Sequence, residues 1–185
     1  MIEALAGLHA VWLLACGRSD GVQRLAPPPQ QALGLAARSF WALPLCLPAF
    51  LCLHLIAWLQ AGLGASPGQD FARDLLGFGV GWLAFAVVTH RLAGRLGRAA
   101  HWPLFIAVWN WCNLLQYLML VVAALPALLG LPDVVAQTAW LVAIGWALWL
   151  EWFAARVTLA VPPLVAVAVV LLDITIGLLL VSFGS

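Results

Sequence analysis

Five stretches of twenty or so residues, near 40–63, 72–93, 102–125, 134–157 and 164–183, are almost wholly apolar. Crossing the hydrocarbon core of a bilayer, about 30 Å thick, takes about 20 such residues in a helix. Within lipid every backbone N–H and C=O must be paired inside the segment, so apolar runs of this length span as helices. The composition leaves little choice of solvent. Hydrophobic residues make up 65% of the 185-residue chain and charged residues 8%, against about a quarter charged in a soluble domain. The sequence therefore predicts an all-α polytopic membrane bundle with five transmembrane helices over residues 38–185.

Charge placement gives an orientation. The chain has eight basic residues, all of them arginine. With five spans threaded, Arg18, Arg24, Arg38, Arg91, Arg95, Arg98 and Arg156 fall at one face and Arg73 at the other, beside Asp70 and Asp74. Positive residues flanking spans stay in the cytoplasm. The expected topology is N-terminus inside and C-terminus outside, in a bacterial inner membrane. A net charge of +1 gives no nucleic-acid footprint. The expected partners are membrane lipids and other membrane subunits.

Before the spans, residues 2–16 form an apolar stretch too short to cross, expected as an interfacial helix in a segment covering 1–25. Leu13-Leu14-Ala15-Cys16 has the look of a lipid-attachment box, but no positive residues precede it, as an export signal requires. Pro27-Pro28-Pro29 stiffens a Pro-rich linker over 26–37. Residues 64–69 should form a short external loop. In the second span, Gly77, Gly79 and Gly81 are expected to admit another helix backbone closely.

Polar residues inside spans are costly, so their depth carries information. At about 1.5 Å per residue from the arginine-rich face, Asn110 lies about 12 Å deep, Asn113 about 16 Å and Gln116 about 21 Å. The same scale puts His54 at about 20 Å, Asp173 at about 15 Å and Glu151 at about 9 Å. These depths group Asn110, Asn113, Gln116, Asp173 and His54 as an intramembrane polar cluster. Asp173 should turn inward and bond Asn113 or Asn110, either as interhelical glue or as part of a proton or solute path. Glu151 and Arg156 are expected to pair at the interface, both snorkelling outward.

Other chemistries find less support. Cys16, Cys46, Cys52 and Cys112 lack metal or redox spacing. A haem would need histidines from two helices at one depth. His90 and His101 share a depth, but near the arginines, where headgroup contact accounts for them; no cofactor and no metal are assigned. Ser, His and acidic residues do not converge at one level, so no catalytic site is expected.

Two segments, Arg38-Ser39-Phe40-Trp41-Ala42-Leu43-Pro44 and Trp102-Pro103-Leu104-Phe105-Ile106-Ala107-Val108-Trp109-Asn110-Trp111, resemble a group of small alphaproteobacterial membrane proteins loosely described as Yip1-like. The resemblance covers about residues 30–185 and implies five spans with a cytoplasmic N-terminus. It transfers no site residue. On the sequence the expected role is a non-enzymatic accessory or assembly subunit of the membrane. The alternatives are a small-solute or proton-linked transporter using Asp173 with Asn110 and Asn113, or a haem- or quinone-associated subunit.

Overall fold

A computed structural model describes residues 2–62 and 67–184, and all its regular elements there are helical. The helices are α1 (Ile2–Ala15), α2 (Asp20–Leu25), α3 (Ala32–Ser39), α4 (Ala42–Ala61), α5 (Pro67–Arg95), α6 (Trp102–Leu128), α7 (Asp133–Thr158) and α8 (Pro163–Gly184). Five of the helical segments are long and apolar enough to cross a membrane. The all-α bundle of five spans and a shorter apolar N-terminal helix is thus the observed architecture.

The ends of the helices follow local chemistry. Gly97 (φ 68°) and Gly130 (φ 67°) adopt the left-handed conformation that closes α5 and α6. In each case the next residue donates back five positions, Arg98 N to Ala93 O at 2.7 Å and Leu131 N to Pro126 O at 3.0 Å. This is the Schellman arrangement, which satisfies helix-end carbonyls. Pro103 sits in the first turn of α6, where its missing N–H costs nothing. Ala160 takes the same backbone region (φ 50°) without being glycine, at the turn before Pro162-Pro163.

Three expectations change. Residues 32–37 of the linker are not extended: α3 begins at Ala32, after a 3-10 turn over Pro29–Gln31. Only the residues up to there carry prolines, so nothing after Gln31 opposes helix. The loop expected at 64–69 is shorter, because α5 starts at Pro67; residues 63–66 lie outside the described residues. The third concerns the glycines of α5, which do not bring a second backbone close. A methyl at Gly77 or Gly79 would meet nothing within 4 Å, and one at Gly81 would meet only the Leu180 side chain at 3.2 Å.

α6 is the central helix. It packs against α1, α3, α4 and α7 and more lightly against α5, while α8 lies across α5 and α7. Its stretch from Phe105 to Cys112 is buried on every side. α1 does more than lie at an interface. Its Ala10, Val11 and Leu14 are buried in the same core as Val108 and Trp111, and Gly7 leaves room for the Trp111 indole. The glycine-bearing face of α5 fronts open space.

Candidate functional site: an aromatic-walled cavity with a carboxyl floor

That open space is a cavity of about 520 Å³ between α4, α5, α6 and α8, within the range of about 300–1,000 Å³ usual for small-molecule sites. α5 presents Asp74, Gly77, Phe78, Gly81 and Trp82 to it. Their i, i+3, i+4, i+7, i+8 spacing is one helical face. The glycines remove side-chain bulk along that face, which is why the space exists. From the level of Asp74 to that of Trp82 the cavity descends about 12 Å, at about 1.5 Å per residue. On α8 the same descent runs from Val181 to Asp173.

The walls are aromatic. Phe50 of α4 and Phe78 of α5 have ring centroids 4.9 Å apart. Phe78 meets Trp82 at 5.3 Å and Tyr117 at 5.6 Å, both edge-on. Trp82 in turn meets Trp109 at 5.5 Å, and Trp109 stacks on Phe85 at 4.3 Å. Tilted and edge-to-face pairs at these separations are the favoured aromatic geometry. The rings form a continuous ladder from mouth to floor.

At the mouth, His54 Nε2 and Asp74 Oδ2 share a hydrogen bond of 2.8 Å, and Arg73 lies 3.7 Å from Asp70. The floor carries Asp173, with Asn113 beside it on the lining. Behind the floor stands Glu151 of α7, 4% exposed. The Asp173 and Glu151 carboxyls are within hydrogen-bonding reach of each other, and the Trp109 indole approaches Glu151. Glu151 Oε1 is nevertheless fully buried with no donor in bonding geometry. Among the described residues no ion pair reaches either carboxyl. Two carboxyl groups brought together with no cation beside them are the arrangement in which a proton can be shared.

The polar cluster expected from depth is divided. His54, Asn113 and Asp173 do line one cavity. Among the described residues no hydrogen bond joins Asp173 to either asparagine; the group it adjoins is the Glu151 carboxyl. Asn113 Nδ2 donates to Trp109 O at 3.0 Å within its own helix. Asn110, fully buried, accepts from the Trp82 indole and donates to Ser39 Oγ at 2.7 Å. Ser39 Oγ in turn donates to Ala36 O at 2.7 Å. This chain ties α5, α6 and α3 together and is structural. Gln116 Nε2 donates to Ala147 O at 2.8 Å, a second interhelical tie.

The Glu151–Arg156 pair does not form. Five residues apart, the two side chains are about 140° apart around α7 at 3.6 residues per turn. Glu151 faces the core, and the Arg156 guanidinium lies 5.5 Å from the Trp152 ring centroid on the outside. His90 packs edge-on against Trp102 at 4.8 Å, while His101 Nδ1 is buried without a partner.

Sequence reasoning overlooked Asp74, Phe50, Phe78, Trp82 and Tyr117 as cavity residues, and Glu151 as an inward one. Signals for them were present. Glu151 and Asp173 stand eleven residues either side of Pro162, and His54 and Asp74 stand ten either side of Gly64. Residues symmetric about the turn of a helical hairpin sit at one height.

No family model, curated protein or solved structure matches the chain. The resemblance to Yip1-like proteins therefore rests on the two segments that carry it.

Proposed function

We propose that the chain is a multi-pass membrane carrier that binds a small solute in the α4–α5–α6–α8 cavity and links its passage to a proton on the Asp173–Glu151 pair. The observation that carries this reading is the cavity floor. An open, glycine-widened cleft ends on a carboxyl that adjoins a second, buried one. Intramembrane carboxyls facing a cavity mark ion and proton pathways. A purely structural polar tie, such as the Asn110 chain, is satisfied and closed; Glu151 Oε1 is neither. An accessory subunit packing against other membrane proteins needs no such cleft, so the transporter reading moves ahead of it.

By the positive-inside rule, the end bearing Arg91, Arg95, Arg98 and Arg156 faces the cytoplasm of a bacterial inner membrane. The mouth at Asp74 then opens to the outside. The test is reconstitution into proteoliposomes with an imposed pH gradient and a pH-sensitive dye inside. A panel of cationic, neutral and anionic solutes is added in turn. The reading expects one class to dissipate the gradient, and Asp173→Asn and Glu151→Gln to abolish the response while circular dichroism stays helical. Wild-type vesicles that answer to no class, or variants as active as wild type, would contradict it.

A further inference from the structure

We infer that the solute is a small organic monocation, an amine or quaternary ammonium, which competes with the proton for the Asp173–Glu151 carboxyls; this rests on the carrier reading above. Three features of the cavity point there. Its side walls are ring faces and edges from Phe50, Phe78, Trp82, Trp109 and Tyr117. Aromatic faces attract ammonium groups, and the attraction strengthens where water is excluded. Second, its fixed charge is acidic. Asp74 and Asp173 line it, Glu151 adds a carboxyl behind the floor, and the lining arginine, Arg73, lies at the mouth facing Asp70. An anion would meet carboxyl groups at the end of its path. Third, hydrogen-bonding groups other than the carboxyls are sparse. Asn113 Nδ2 already donates to Trp109 O and His54 is paired with Asp74. That leaves chiefly Asn113 Oδ1 and the Tyr117 hydroxyl on the lining, too few for a sugar-like solute to regain the hydrogen bonds it gives up to water.

The exchange follows from the floor. Empty, the two carboxyls hold one proton between them. An arriving monocation lies against the aromatic rings and the carboxyl pair, and the proton leaves toward the open cavity. Charge is conserved: one cation enters as one proton departs. The other ionisable groups facing the pair are Tyr117 and Cys112 of α6, with Cys46 of α4 behind Tyr117 and His54, Arg73 and Asp74 two turns outward. None near the floor supplies a permanent positive charge, which leaves the site to the cation.

The probe is tetraethylammonium, titrated into the protein in nanodiscs of phosphatidylglycerol and phosphatidylethanolamine and followed by tryptophan fluorescence, since Trp82 and Trp109 line the cavity. Saturable binding is expected. Its Kd should rise at least tenfold as pH falls from 8 to 5, with protons released into weak buffer on binding. Phe78→Ala, which keeps the carboxyls, should also weaken binding several-fold. A choline headgroup offers the same chemistry, so a second arm adds phosphatidylcholine. Displacement of the probe assigns the cation to lipid, and undisturbed binding assigns it to a free solute. A Kd flat from pH 5 to 8, or no binding, overturns the inference. If a neutral or anionic solute still collapses the pH gradient through Asp173, the carrier reading stands and the cation class alone is refuted.

Discussion

The tie between Trp82 and Asn110 allows a direct energetic prediction. Asn110 is fully buried and Trp82 is 4% exposed, so a partner lost at either position is not replaced by water. Asn110→Leu leaves the Trp82 indole N–H unpaired, a penalty of about 1–3 kcal/mol. It also removes the bond to Ser39, and interhelical bonds in membranes are worth about 0.6 kcal/mol on average. The expected destabilisation is about 2–3 kcal/mol. Trp82→Phe leaves Asn110 Oδ1 unpaired and loses ring area, for a loss of similar size. In the double variant no orphan remains, since replacing both partners by apolar groups is close to neutral. The double should therefore be less damaging than the sum of the singles. The coupling should be about 1–1.7 kcal/mol, toward the top of the membrane-protein range because both groups are buried. Unfolding by SDS in mixed micelles, followed by circular dichroism, measures all four corners of the cycle. Additivity within about 0.3 kcal/mol would refute the claim that this bond holds α5 to the core.

Other consequences follow from packing and backbone. Gly7→Leu forces a side chain onto the Trp111 indole, where even a Cβ would stand 2.5 Å from Nε1. Overpacking of this kind costs about 1–3 kcal/mol, and a thermal melt in detergent should fall accordingly; an unchanged melt would mean α1 does not dock on α6. Ala160→Gly relieves a left-handed alanine at φ 50° and should stabilise by about 0.5–1 kcal/mol after the extra chain entropy of glycine is deducted. A loss of stability in the same melt would show that the turn is not strained.

Much of this architecture can be read from residues alone, because lipid enforces it. Apolar length gives the spans, and Gly97 and Gly130 mark where helices close. Depth along the helix axis follows from counting. What counting does not give is azimuth, the direction in which a side chain leaves its helix. Asp173 and Asn113 share a depth yet do not bond, because Asn113 turns to its own helix and Asp173 toward α7. Glu151 looked like an interfacial partner for Arg156 because both are charged and near a helix end, but their angular separation sends them to opposite sides of α7. The α5 face was legible in principle: Asp74, Gly77, Phe78, Gly81 and Trp82 form a stripe of small, aromatic and acidic residues. Reading the glycines only as contact points for another helix hid the alternative, that they hold space open. Which helices surround a central one is a property of tertiary packing, and the local marks α6 carries are the amides Asn110, Asn113 and Gln116 in an otherwise apolar run, which call for partners without naming them.

Cysteine accessibility tests the cavity most directly. With Cys16, Cys46, Cys52 and Cys112 replaced by alanine, single cysteines are placed at Gly177, on the cavity lining, and at Gly145, on the outer face of α7. Neither position has an atom within 4 Å of an added Cβ, so both substitutions fit. In sealed, right-side-out vesicles, a charged thiol reagent that cannot cross lipid should modify the residue at 177 rapidly and leave that at 145 untouched. Equal labelling at both positions, or none at 177, would contradict a water-filled cleft leading down to Asp173.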